Sequence, residues 1–476
     1  MNKKLVKIGP NRYCLPREGK MLVDAIVYLS SELLAIFDEP IALQQLADAA
    51  CLPGLAGPPL GMPDIHQGFG LPIGGVMASD GENGVISAGA VGMDINCGVR
   101  LLASNLLAAN ITTRKLTSLL EAIEARIPAG VGKATKHREI KRELIERVFY
   151  EGAVEVVERG YGWPEDLEAI EEGGRLSGAR PGVLSKEAWE RSNQLATLGG
   201  GNHFIELGVV NEVYDPTLAE FFGLTQGRVT VMIHTGSRGL GHQICTDFTE
   251  IMVQAAPRYG IQLPTKGLAA VPIQSREGKD YFAAMACAVN FAFANRQLIT
   301  HDIREAFEEV YKTDAGNLGL KVVYDIAHNI AKYELYDGKK LLVHRKGATR
   351  ALPAGHPANP PSLKETGHPA IIPGSMGSSS YVVVGTAEAE ETYYSVNHGA
   401  GRVLSRRAAR KSISMDEFER SMGDIIYRAR RPSRLLDEAP QAYKNIDQVV
   451  DTLASIGITR KVVKLAPLAV IKGEGD

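Results

Sequence analysis

Fifty glycines punctuate this 476-residue chain, clustered in short loops instead of spread into a linker. Each cluster interrupts any periodic pattern, so the fold must be assembled from short elements joined by tight turns. Apolar spacing of three and four predicts helices near 29–50, 114–127, 138–157, 185–196, 278–310, 415–429 and 441–456. Between them "VTVMIH" (229–234), "LKVVYDI" (320–326), "KLLVH" (340–344), "YVVVGT" (381–386) and "RKVVKLAPLAVI" (460–471) read as strands. The order is irregular, with no internal repeat and no steady βαβ alternation. An α+β fold with a mixed or antiparallel sheet is therefore expected, in preference to a doubly wound one. The Pro- and Gly-rich stretch 351–375 runs into another glycine motif and is read as an ordered loop.

Length alone suggests two or three domains. No apolar run approaches the ~18 residues that span a bilayer, and the basic N-terminus lacks the apolar core of a signal peptide. Cys14, Cys51, Cys97, Cys245 and Cys287 show no framework spacing, so a cytoplasmic protein with reduced thiols is expected. A net charge of −2 excludes a uniformly basic nucleic-acid binder, and any grip on phosphates must be local. Basic runs do occur at 344–350, 402–412 and 427–434, although each alone reads as a solvated face.

The chemistry gathers on a few turns. "GMDINCGVR" (92–100) sets Asp94 three residues before Cys97, close enough for both to reach one ion from a single turn. His203 in "GGGNHFIEL", His234 in "VMIHTGSRGLGH" and His328 in "VVYDIAHNIAKYE" each lie at or just beyond the end of an apolar run, where a side chain can face a cleft. A lone histidine of this kind is usually structural. Together the five residues offer a carboxylate, a thiolate and three imidazoles, enough for two ions if the sulfur bridges. His398 in "SVNHGAGRVLSR" is different: glycines let a phosphate approach, and Arg402 and Arg406 follow, which is a nucleophile's setting. "PGSMGSSSY" (373–381) is a second cradle of small and hydroxyl residues suited to a nucleotide. "IPAGVGKATK" (127–136) imitates a phosphate loop but has Ile127 and Ala134 where that loop needs glycine and a hydroxyl, and no K-x-D-G motif occurs. Arg238, Lys346, Arg402 and Arg406, beside these motifs, are the candidates for holding substrate phosphates.

"GMDINCGVR", "LGGGNHFIEL", "IHTGSRGLGH", "DIAHN", "HRKGATR", "PGSMGSSSY", "VNHGAGR" and "LAVIKG", in this order along essentially the whole chain, resemble the RtcB family of RNA ligases. The resemblance implies one α+β catalytic domain over residues 1–476, with mixed and antiparallel sheets around a deep metal-containing cleft. It implies GTP-dependent joining of an RNA 3′-phosphate or 2′,3′-cyclic phosphate end to a 5′-hydroxyl end in tRNA splicing and RNA repair, with tRNA halves as partners. Two Mn2+ ions are implied, with Cys97 bridging, His234 and His328 completing one site, and Asp94 and His203 the other. His398 takes GMP; Asn202 and Glu206 contact the nucleotide and its guanine. Ser375, Ser380, Ala400, Tyr443 and Lys472 match positions around the guanosine. Archease enters as a partner to test for repeated turnover, and the chain is expected to be a monomer without membrane association. By softness, a thiolate with imidazoles would favour zinc, whereas the family implies manganese. Two other classes use the same residues: a dinuclear metal-dependent phosphodiester hydrolase with His398 as general acid, and an RNA-binding protein whose metal is structural.

Overall fold

Two large sheets carry the architecture of the computed structural model, which describes residues 5–473 apart from 138 and 430. The first has seven strands, ordered Val6–Gly9, Arg12–Leu15, Ala25–Tyr28, Leu60–His66, Ile73–Asp80, Lys339–Lys346 and Asn329–Tyr336. The second runs Lys321–Ala327, Gly98–Ala103, Val229–Thr235, Phe204–Val213, Thr459–Lys472, Ser380–Gly385 and Pro369–Ile372, with Ile426–Arg428 added beside Thr459–Lys472. Pairing is antiparallel except where Ala25–Tyr28 meets Leu60–His66 and where Ile426–Arg428 meets Thr459–Lys472. The expected α+β class with mixed sheets is what the chain adopts. The sheets share one apolar layer, in which Leu60, Met62 and Val343 of the first meet Ile372, Tyr381 and Val383 of the second.

Antiparallel pairing decides where the functional turns fall. Gly98 sits opposite Ala327, Val99 opposite His234, and Phe204 opposite both His234 and Lys472. Two strands therefore begin, and three end, at the same edge of the second sheet. Cys97 and His203 immediately precede their strands, His234 is the second-last residue of Val229–Thr235, and His328 immediately follows Lys321–Ala327. Directly after His328 the chain enters the first sheet at Asn329.

Behind this edge lies the helix Arg276–Tyr311, whose 36 residues span about 54 Å. Its run of alanines with Phe291 and Phe293 is buried all round, as a helix apolar on every face must be. Ser275 caps it by accepting from the Gly278 N–H, and Lys312, left-handed at φ 55°, ends it. No helix among the described residues is long and apolar enough to cross a membrane. This helix donates polar groups from its middle. Arg296 bonds Asp325 through Nε at 2.9 Å and donates Nη1 to the carbonyls of Asn96 (2.9 Å) and Thr235 (2.8 Å), with all charged atoms excluded from solvent. Arg100 Nε closes on the same Asp325 carboxylate at 2.7 Å. Neighbouring Asn295 holds the carbonyls of Thr197 and Gly236.

Several expected boundaries shift for identifiable reasons. The helix expected over 29–50 is split into Ser31–Ala35 and Pro40–Ala49, because Pro40 can only open a helix. The one expected over 138–157, whose first residue lies outside the described residues, breaks at Gly152 (φ 59°) into Arg142–Glu151 and Ala153–Glu158. Met415–Met422 stops at Gly423, short of 429. The loop 351–375 contains the strand Pro369–Ile372. The helix Arg238–Ala255 is absent from the periodicity reading, since its first turn is the glycine-rich "RGLGH". No disulfide joins the five cysteines, all of which lie among the described residues.

Replacing Arg296 by Met should lower stability by about 3–5 kcal/mol, because Asp325 and two backbone carbonyls lose a buried partner; a denaturant midpoint equal to wild type would refute that role. Nearer the surface, His137 joins the 129–141 loop to the long helix through Asp302 at 3.0 Å, and also contacts Glu139 at 2.9 Å. The bond to Asp302 raises the imidazole to about 9. Its contribution is thus complete below about pH 6.5 and lost as pH rises through about 9. Melting curves of wild type and His137→Gln should differ at the lower pH and converge above the upper one.

Candidate functional site

Five side chains meet at the sheet edge. Cys97 Sγ lies 3.3 Å from His234 Nε2 and 3.5 Å from His203 Nε2. His234 Nε2 faces His328 Nε2 at 3.3 Å, and His203 Nε2 is 2.7 Å from Asp94 Oδ2. They form two three-residue groups, Cys97–His234–His328 and Asp94–Cys97–His203, in each of which the potential ligand atoms lie within 4.8 Å of one another and which share the sulfur. Gly236 makes this approach possible, since a Cβ there would fall 2.8 Å from Cys97 Cα and closer still to Asp94 Oδ1.

The electrostatics suit a cation. Burial holds His203 below its ordinary value and His234 and His328 well below, so the imidazoles are neutral with lone pairs to offer. Burial, reinforced by the Asp94 carboxylate, pushes the Cys97 thiol well above its usual range. Asp94, although burial opposes its charge, is kept below the usual carboxylate range by His203. Its Oδ1 is buried with no hydrogen-bond partner. Two imidazole nitrogens face to face, a sulfur between groups and an orphaned carboxylate oxygen are the donor set that one or two divalent ions would satisfy.

His398 comes from the other side of the cleft, after the short pairing of Ala348–Arg350 with Ser395–Asn397. Asp64, fully buried in the strand Leu60–His66, uses Oδ2 to accept from His398 Nδ1 (2.7 Å), His398 N (3.0 Å) and Gly399 N (3.2 Å). A carboxylate there fixes the proton on Nδ1 and leaves the Nε2 lone pair available. The ring centroid is 4.8 Å from that of His328. Gly401, at φ 74°, lies against the Asp64 backbone, where no Cβ would fit.

A cavity of about 490 Å³ connects these groups, lined among others by Asp94, His234, His328 and His398. Asn202, Glu206, Ser375, Ala400, Tyr443 and Lys472 also line it. Ser380 does not: its hydroxyl accepts from Gly374 N at 3.1 Å and so braces the small-residue turn. Burial pushes Glu206 up to about 8, with Lys472 acting in opposition.

The four RNA-phosphate candidates separate. Arg406 is about half exposed, at 53%, and Lys346 lines the cavity while donating to the carbonyls of Phe69 and Gly89. Arg402 also lines it, but its guanidinium is committed to Tyr443 Oη (2.9 Å), the Asp437 carbonyl and Glu438 (3.4 Å). Arg238 is not on the lining; it reaches His203 Nδ1 at 3.1 Å and Thr197 Oγ1 at 3.3 Å. Position beside a motif does not reveal that a cation is already used internally.

Three residues of this site escaped the sequence reading, His66 and Glu438 on the cavity wall and Asp64 buried behind it. Asp64 and His66, whose Nδ1 is 2.8 Å from the Asp64 carbonyl, sit in "MPDIHQGFG", a polar pair before glycines much like the motifs that were noticed. Glu438 has no such signal. It ends a short 3-10 turn and gathers Tyr443 Oη (2.6 Å), Lys472 Nζ (3.2 Å) and Arg402.

Residues 45–473 match the family model described as "tRNA-splicing ligase RtcB". Among similar proteins are the tRNA-splicing ligase RtcB of Archaeoglobus fulgidus, 48% identical over 98% of this chain and 99% of that one, and that of Thermococcus kodakarensis, 45% identical over 98% and 99%. The RNA-splicing ligase RtcB of Mycobacterium bovis is 44% identical over 90% of this chain and all of its own. The match to the family model and the identity to these relatives over nearly their full length place the chain that carries this sheet edge in the RtcB family.

Proposed function

We propose that this protein is an RNA ligase that joins a 3′-phosphate or 2′,3′-cyclic phosphate end to a 5′-hydroxyl end, such as those of tRNA halves, with GTP as activating substrate and two Mn2+ ions as cofactor. The observation that carries this reading is His398 held by Asp64 at 2.7 Å, on a cavity that is also lined by Asp94 of one three-residue group and by His234 and His328 of the other. Family membership supports RNA joining; the nucleotide, the metal and the covalent step are our reading of the site.

A 2′,3′-cyclic end is first opened by water, which adds to phosphorus as the P–O2′ bond breaks; the resulting 3′-phosphate needs activation, because its oxygens are poor leaving groups. Ions held by Asp94, Cys97, His203, His234 and His328 would supply Lewis acidity and neutralise charge on phosphate oxygens. His398 Nε2 forms a bond to the α-phosphorus of GTP as the bond to pyrophosphate breaks, and the Asp64 carboxylate stabilises the charge developing on the ring. An oxygen of the RNA 3′-phosphate next attacks that phosphorus, the P–N bond breaks, and its electron pair returns to Nε2. The 5′-hydroxyl oxygen finally attacks the RNA phosphorus and GMP leaves. Glu206 offers its carboxyl to guanine donors, while Asn202, Ser375 and Ala400 position the nucleotide from the cavity wall. Tyr443 and Lys472, drawn together by Glu438, close the guanosine side.

Labelled GTP with manganese should leave label on the denatured protein that survives alkali and is lost in acid. His398→Ala should abolish the label and Asp64→Asn should slow its appearance by about 100-fold or more, since the amide no longer holds the productive tautomer. Absence of label together with RNA shortening would instead identify a hydrolase. Zinc should bind but inhibit, and full ligation with zinc alone would refute manganese as the working metal.

A further inference from the structure

A second depression of about 550 Å³ lies outside the cavity. One wall is the helix Arg406–Ser412, presenting Arg406, Arg407, Arg410 and Lys411; the other is Val131 with Gly200 and Gly201. Among the described residues no carboxylate lines it. Asp437 stands behind Arg410 at 3.0 Å and Glu438 behind Arg406 at 3.7 Å, whereas Arg407 and Lys411 form no ion pair among the described residues. Spacings of three and four place these cations along one side of the helix, with about 6 Å of rise between Arg407 and Lys411. Arg406 lines both this groove and the cavity, so the two spaces communicate past one guanidinium. The opposite wall is kept low by glycine: at Gly201, φ 69°, a Cβ would stand 2.6 Å from Arg406 Nη2. That same turn leads directly into Asn202 and His203.

An ordinary solvated helix face would not be walled on its far side by glycine backbone and one valine, nor share a guanidinium with a deep cavity. We propose that this groove is a track for the sugar–phosphate backbone of one single-stranded RNA end, delivering that end to the cavity past Arg406. The assignment rests on the RNA-ligase reading above. No aromatic side chain lines the groove, so it offers no surface on which bases stack; it holds phosphates and is indifferent to sequence. It extends the contacts beyond the reacting nucleotides by using Arg407, Arg410 and Lys411.

Binding is tested without ligation, by fluorescence anisotropy of the full chain with two RNA 12-mers of one sequence. One carries a 3′-phosphate and a blocked 5′ end, the other a 5′-hydroxyl and a blocked 3′ end. The double variant Arg407→Ala/Lys411→Ala alters two exposed side chains, and its melting curve verifies folding. It should weaken binding about 10-fold in one arm and reduce the slope of log affinity against log salt there by about 1.4. The arm that responds names the strand, and a changed base sequence should leave the loss unaltered. Lys339→Ala/Lys340→Ala, at an exposed hairpin in the first sheet, should bind as wild type does. Equal binding by wild type and the Arg407/Lys411 variant in both arms, or an equal loss in the Lys339/Lys340 variant, would overturn the track while leaving the ligase reading intact. Failure of the wild type to bind either RNA would overturn the reading on which the track rests.

Discussion

The buried bond between Arg296 and Asp325 is the constraint on which the site depends. Asp325 sits in the strand that leads to His328, and Arg296 uses its remaining donors on the carbonyls of Asn96 and Thr235, the neighbours of Cys97 and His234. One guanidinium thus ties three ligand-bearing segments to a helix that is immobilised by packing on every side. An apolar residue would fill the space and hold none of the carbonyls. Desolvating the charge is costly, but the planar fork makes several bonds at once, which a lysine could not reproduce.

That rigidity matters because the five candidate ligand side chains are close enough to repel or misorder one another. Neutral imidazoles 3.3 Å apart, a thiol and a carboxylate would relax apart on a mobile loop. On a sheet edge they cannot: Cys97, His203, His234 and His328 lie in or next to strands whose register is fixed across four neighbours, and Asp94 is tied to them through its carbonyl, which accepts from Cys97 N and Asn329 Nδ2. Burial supplies the other half of the preparation by keeping the histidines unprotonated near neutrality.

Much of this edge was legible in the sequence, and the reason is geometric. A histidine at the end of a β-branched run must project near a sheet edge, so His203, His234 and His328 could be singled out without knowing which strands pair. Pairing itself was not legible: nothing in "LKVVYDI" says that it lies beside "GVRLLA". Buried acids were the harder loss. Asp64 and Glu438 act by accepting from groups distant in sequence, His398 and Tyr443–Lys472 respectively, and their roles exist only once the chain has folded. The same blindness explains Arg238, Arg402 and Ser380, whose side chains serve internal partners that no local pattern discloses.

The division of labour between the sheets gives the site its logic. The metal-ligand candidates come from the edge of the second sheet and its junction with the first, whereas the candidate nucleophile is oriented by Asp64 of the first. The two halves meet because His328 is the last residue before the chain crosses over, and Asn329, opening the next strand, donates to the Asp94 carbonyl and accepts from Gly347 N. This crossover therefore joins the candidate ligands to the sheet that orients the candidate nucleophile, and their spacing follows the register of the strands on either side. A slip by one residue would turn every inward side chain of that strand outward and expose its buried face. The alignment of the cleft is thus protected by the same apolar layer that makes the two sheets one core.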